Sequence, residues 1–388
     1  MKSFLKWVLR IVVILAVVIG GLALWKREEV GRLMAVLSLF SEEKIVDNFS
    51  SMDTIFLNRP LPGSGGTPSA LAAGTPATLP PEVTDWIAER HVTALVILHD
   101  GAMVFEEYYQ STDADDLRIN WSISKSYLSA LFGVLLDEGV FDSIEDPVTK
   151  YAPELADTAY AQASIKDVLQ MSSGVTFDED YLAFFSDINK MGRVLALGGS
   201  MDGFALQQDE GFAAPGDGWK YVSIDTHVIG MVIRGATGRD IPDLLTEKII
   251  TPLGLEADPY YLTDGYGVAF VLGGLNTTTR DNARFGQMIA NGGRWNGQQI
   301  VPADWIDAST VVSAKTAPGA IGYGYQWWIP AGSEPGQFMA RGIYGQYIYI
   351  DSINDVVIAV HAADRQFREP GAHAQNENMF RLIAESFE

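Results

Sequence analysis

The sequence predicts an α+β fold in which one antiparallel sheet, built from both ends of the chain, is flanked by helices and carries an inserted helical domain. Three observations predict it. Residues 93–109, TALVILHDGAMVFEEYY, hold two β-type runs joined by Asp100-Gly101, a strong hairpin signal. Residues 337–351, QFMARGIYGQYIYID, and 355–363, DVVIAVHAA, alternate in the same two-residue rhythm near the other end. Between these, from 122 to about 225, the apolar spacing turns helical.

The elements follow in order. Residues 11–25 are uninterrupted apolar or Gly and are preceded by Lys2, Lys6 and Arg10. Fifteen helical residues reach about 22 Å, short of the roughly 30 Å hydrocarbon core. Counting from Trp7 to Trp25, with Arg10 snorkelling, nearly closes that gap. Residues 1–27 are therefore expected to be an N-terminal transmembrane helix. It would anchor the chain in an inner membrane, with the bulk facing the periplasm or outside. The rival is a signal peptide cleaved near Gly21-Leu22-Ala23, which would make the protein secreted.

Residues 28–82 read as a membrane-proximal segment ending in a Pro/Gly-rich connector, RPLPGSGGTPSALAAGTPATLPP. The remaining domain, 83–388, divides into a sheet part (83–120 and about 226–388) and a helical part (about 121–225). Short capped helices are expected at SIKDVLQMSSG (164–174), DIPDLLTEKIITPLGL (240–255) and DNARFGQMIANGG (281–293).

Composition narrows the function. The 388 residues are 47% apolar and 20% charged, enough for a large core. A formal net charge of -22 argues against nucleic-acid partners and against basic docking onto an anionic membrane. With no cysteine there is no disulfide, thiolate metal site or cysteine nucleophile. The five histidines (91, 99, 227, 361 and 373) form no ligand-spaced pair, so no metal or other cofactor is expected.

The chemistry-bearing stretch is NWSISKSYLSALFGVLLDEG, residues 120–139, where Ser122-Ile123-Ser124-Lys125 opens an apolar helix. Positions i and i+3 share a helix face, so the lysine amine can approach the serine hydroxyl. Burial lowers a lysine pKa, and a neutral amine can take the serine proton. Alone the tetrapeptide is ambiguous: a helix start with a solvated lysine reads equally well. Two further copies show how cheaply the spacing arises: Ser3/Lys6 sits in the targeting segment and Ser41/Lys44 in a charged run.

The rest of the chain adds PGDGWKYVSIDTHVIG (215–230), with Tyr221 and Ser223, and RGIYGQYIYID, with Gly345 and Gln346. With these blocks the chain resembles the serine hydrolases related to class C β-lactamases and DD-peptidases, and most the 6-aminohexanoate-oligomer hydrolase and esterase branch. DPVTKYAPEL, LQMSSGV, GGLNTTTRDNARFG and YGYQWW extend the likeness in family order over roughly residues 45–385.

The resemblance implies a β-lactamase/DD-peptidase-like fold and hydrolysis of a small-molecule ester or amide through an acyl-enzyme. It makes Ser122 the nucleophile, Lys125 its base and Tyr221 the proton relay to the leaving group. The backbone N–H groups of Ser122 and Gln346 would form the oxyanion hole, a donor there being worth about 3 kcal/mol. Ser223, Ile343, Tyr344 and Gly345 would line the substrate site. Two positions depart from the pattern: Ile343 stands where the family strand carries Lys or His, and Ser223 where most β-lactamases carry Asn. Both departures disfavour β-lactams, whose carboxylate that cation holds.

TFDEDYLAFFSDINK (176–190) reads as a lid or a solvated loop, with Tyr181 and Asp187 as possible substrate contacts. Asp281 and Arg284 are expected at a helix start and on the surface. Lys315-Thr316 is a decoy, because Ala317 follows it in a loop. The alternatives are a β-lactamase or D-amino-acid peptidase, and a non-catalytic envelope binding protein on the same fold. Oligomeric state is not legible.

Overall fold

The computed structural model describes residues 2–62 and 68–387, leaving aside the side chains at 2, 3, 16–19 and 22–24. The chain opens with helices α1 (Lys2–Trp25) and α2 (Arg27–Leu37). Strands β1 (Ala72–Ala73), β2 (Val92–His99), β3 (Ala102–Tyr108) and β4 (Arg118–Ile119) follow, then helices α3 (Ile123–Asp137), α4 (Asp187–Ala196) and α5 (Ser223–Thr237). Strand β5 (Leu275–Thr277) leads into α6 (Thr279–Ala290). Strands β6 (Gly322–Tyr323), β7 (Trp328–Ile329), β8 (Gln337–Gly342), β9 (Gln346–Asp351) and β10 (Val356–Ala362) precede the last helix, α7 (Ala372–Glu385).

The main sheet has the order β6-β7-β8-β9-β10-β2-β3-β1, so strands from both ends of the chain meet at the β10–β2 pair. All its pairings are antiparallel except the short β1–β3 edge. β9 and β10 are buried along their whole length, because helices cover the sheet faces. This is the α+β architecture the sequence predicts, with the 122–237 helices inserted between the early and late strands.

α3 is buried on every side from Ile123 to Leu135, as its near-continuous apolar sequence requires. Two of its serines are satisfied from a loop distant in sequence: Ser126 Oγ donates to the Gln326 carbonyl at 2.8 Å and Ser129 Oγ to that of Tyr325 at 2.7 Å.

The stretch read as membrane-proximal packs into the main core. Leu39, Ile45, Phe49, Met52, Ile55 and Phe56 are buried there. The buried Arg118 pins it, donating to Ser50 Oγ at 2.7 Å and to the Val46 carbonyl at 3.3 Å. α1 behaves differently: its described apolar side chains, Trp7 and Ile14 among them, are exposed. Among the described residues no helix is long and apolar enough to cross a membrane. The side chains at 16–19 and 22–24, on which the anchor expectation largely rests, lie outside the described residues.

One surface expectation is corrected. Asp281 and Arg284 do lie in the first turns of α6, but both are buried. They form an ion pair, and the Arg284 guanidinium also donates to Glu256 at 2.7 Å and to the Ser69 carbonyl at 3.0 Å. The connector is thereby fastened to the core. Arg284→Ala would leave Asp281 buried without its cation, and the expected loss is about 3–5 kcal/mol. Urea unfolding checks this: an unchanged midpoint would show that the pair carries no stability.

Candidate active site

Ser122 sits at the junction of β4 and α3. The turn before it is strained: Trp121 has φ 45°, a left-handed value for a bulky aromatic. A buried polar cluster holds that turn. Asn120 Nδ2 donates to Thr277 Oγ1 at 2.9 Å, Asn282 Nδ2 donates to Asn120 Oδ1 at 2.7 Å, and His361 Nε2 lies 3.1 Å from the same oxygen. Burial holds His361 well below its ordinary pKa, so it serves the cluster as a neutral ring.

Ser122 makes no side-chain cap to the helix it begins. Its hydroxyl instead acts on the neighbouring Tyr221 phenol, favouring the ionised form against the effect of burial. The Tyr221 ring stacks on Trp328 with centroids 5.0 Å apart, and burial pushes its phenol pKa up, so the hydroxyl keeps its proton.

Lys125 is 1% exposed, which removes the solvated-lysine reading. Its Nζ has no hydrogen-bond partner among the described residues and lies 5.5 Å from the Tyr221 ring centroid. No direct Ser122–Lys125 hydrogen bond is formed. Desolvation lowers the Lys125 pKa from 10.5 to about 7, against the opposing pull of Glu179 and Asp225.

Those two carboxyls were missed in the sequence. Glu179 sat in the acidic run Asp178-Glu179-Asp180, which looks solvated. It is in fact half-buried, accepting from the Ser223 backbone N–H, from Ser223 Oγ at 3.2 Å and from the Tyr181 hydroxyl at 2.9 Å. Desolvation raises its pKa. Asp225 did leave a signal, as an acid inside the apolar run SIDTHVIG. Its Oδ1 accepts from Tyr160 at 2.7 Å and Ser173 at 2.8 Å, and burial raises its pKa to about 7.

The β8–β9 turn closes the other side. Gly342 pairs with Gln346, and a Cβ on Gly342 would lie 2.6 Å from the Asn120 carbonyl and 3.2 Å from the Ser122 amide nitrogen. Only glycine lets this strand approach the Ser122 N–H so closely, a requirement sequence reasoning did not draw. Gly345 has φ +87° and Tyr344 φ 59°, so the turn is strained on this flank too. The Gln346 amide side chain locks the turn by donating to Ala362 O at 2.8 Å and Tyr344 O at 3.0 Å.

A cleft of about 290 Å³ opens beside Ser122, with Ser223, Tyr181, Ile343 and Tyr344 on its wall. Tyr344 stacks on Phe40 from the amino-terminal segment, centroids 4.6 Å apart. Asp187 is not brought into it: its carboxylate accepts from the Asp178 N–H at 2.9 Å and pairs with Lys190 at 2.9 Å. Ile343 lies in the β8–β9 turn, and the cation on β8 just before it is Arg341, whose guanidinium lies over the Trp328 ring at 3.8 Å. The decoy Lys315 is exposed and lies 3.6 Å from Asp217. Among the described residues no cluster of acidic or histidine side chains is arranged to hold a metal ion.

Comparison with known proteins gives the family and the fold. The Beta-lactamase family description matches residues 84–379. A 6-aminohexanoate-dimer hydrolase from Paenarthrobacter ureafaciens is 31% identical over 73% of this chain and 75% of its own. A Bacillus anthracis structure named for a provisional 6-aminohexanoate-dimer hydrolase activity superposes with a TM-score of 0.79 at 25% identity, covering 90% of this chain and 95% of that one. A D-stereospecific amidohydrolase from Streptomyces shares the fold, with a TM-score of 0.54 at 19% identity over 72% of this chain and 92% of its own.

Proposed function

The chain belongs to the Beta-lactamase family and is a serine hydrolase of the esterase or amidase type, and on that premise we propose that Ser122 forms its acyl-enzyme. Ser122 Oγ attacks the carbonyl carbon of an ester or amide while its proton passes to neutral Lys125. The developing oxyanion is held by the backbone N–H groups of Ser122 and Gln346. Collapse breaks the bond to the alcohol or amine, which takes a proton relayed through the Tyr221 hydroxyl. Water then attacks the acyl carbon and releases the acid, with Ser122 recovering its proton.

The observation that carries this reading is the burial of Lys125 without a partner. An unpaired lysine in a core costs stability, and a binding module has no use for one. Its lowered pKa is what a general base needs near neutral pH. The loss of the strand cation at Ile343 counts against β-lactams and against peptides that end in a carboxylate.

After treatment with a fluorophosphonate, mass spectrometry is expected to find the adduct on the peptide that contains Ser122. An adduct confined to another serine would overturn the assignment. Tyr221→Phe keeps the stacking on Trp328 but removes the relay, and kcat for an amide substrate is expected to fall by about 10²–10⁴. A kcat within twofold of the unmutated protein would place the relay elsewhere.

A further inference from the structure

We infer that the acyl group delivered to Ser122 is an uncharged apolar chain of medium length, carrying neither a carboxylate nor an ammonium at its far end. This deepens the acyl-enzyme reading and rests on it. The cleft beside Ser122 is walled by Phe40, Phe56, Met191, Leu195, Phe270 and Ile343.

The one cation and the one amide among the described lining residues already have partners. Arg193 is the one charged side chain among the described lining residues, and its guanidinium donates to the Phe184 carbonyl at 2.7 Å while lying 4.3 Å from the Phe184 ring. The Asn189 amide donates to the carbonyls of Tyr181 at 3.0 Å and Ala183 at 2.9 Å. Glu179 stands behind the wall, held by Ser223 and Tyr181. Among the described residues no carboxylate lines the cleft to receive an ammonium, and its one cation, Arg193, is already held on Phe184. An unpaired charge in such a site is strongly disfavoured, whereas each buried methylene strengthens binding by roughly fourfold.

The mouth continues the same chemistry. Leu37 on α2 and Leu182 and Phe184 in the 176–190 stretch line the cleft and are also largely exposed, giving an amphiphile an apolar approach. Phe40, Phe56 and Leu37 all precede residue 84, where the family match begins. The apolar character is thus partly supplied by the amino-terminal segment.

The test compares p-nitrophenyl acetate, hexanoate and 6-aminohexanoate on the full chain, with rates normalised to sites counted by fluorophosphonate labelling. Hexanoate and 6-aminohexanoate have the same chain length and differ only in the terminal ammonium. The expected kcat/KM for hexanoate exceeds both others by about tenfold or more. Equal or faster turnover of the 6-aminohexanoate or acetate ester, with Ser122 labelled, overturns the acyl-chain inference and leaves the acyl-enzyme reading standing. Absence of both labelling and turnover overturns the two together. Leu37→Glu and Leu182→Glu replace exposed residues, and each is expected to lower the hexanoate-to-acetate ratio severalfold. An unchanged ratio in both would show that the chain is seated elsewhere.

Discussion

Ser122→Ala is expected to abolish covalent labelling by a fluorophosphonate and to lower kcat/KM for any p-nitrophenyl ester by on the order of 10⁴ or more. The magnitude follows from what remains: a cleft that still binds substrate and two N–H donors, but no atom to form the acyl bond. The substitution removes a single oxygen that caps nothing in α3, so the fold should survive it. Circular dichroism and the melting temperature check that point. Residual turnover within tenfold of the unmutated protein, in a folded sample, would mean that another group carries the reaction.

Lys125 gives the second large effect, through pH. Its amine must be neutral to accept a proton, and desolvation brings its pKa from 10.5 to about 7. The neutral fraction therefore grows about tenfold per pH unit below that value and saturates above it. The expected kcat/KM profile rises through the region near pH 7 and then levels. Lys125→Arg keeps a cation but cannot deprotonate, so the rise should vanish and the rate should fall by about 10²–10⁴.

Asp225, whose pKa burial also raises to about 7, shares this titration, so the midpoint belongs to the group and not to one side chain. Glu179 offers an internal check. Its carboxylate raises the Lys125 pKa, so Glu179→Gln should move the midpoint to lower pH. A midpoint that moves upward in that variant, or a rise that persists in Lys125→Arg, would contradict the assignment of Lys125 as the base.

Much of the sheet was legible because strands announce themselves locally. The Asp100-Gly101 hairpin and the alternation in 337–363 form β2–β3 and β8–β10, with β10 beside β2. The motif residues Ser122, Lys125 and Tyr221 also meet in space, because i, i+3 spacing and a stacked aromatic leave little freedom. Glu179 was hidden for the opposite reason. Its enclosure depends on Ser223, 44 residues further along the chain, a long-range fact that the acidic run cannot reveal. Arg284 was misread in the same way: a charged residue near a helix start looks solvated until Glu256 and Asp281 enclose it. The 28–82 segment was read by its neighbour, the apolar N-terminus, when its own Leu39, Ile45, Phe49 and Met52 belong to the hydrolase core.

That segment has a consequence for how members of this family are told apart. The nucleophile, the lysine and the tyrosine all lie within residues 84–379, whereas Phe40 and Phe56 on the cleft wall come from outside it. Two proteins could then score alike over the shared block yet present differently shaped chambers to their substrates. Selectivity would diverge by exchanging a leading segment, with the reaction chemistry left untouched. Ranking relatives by identity over the common block would group them by mechanism and leave their substrates unsorted.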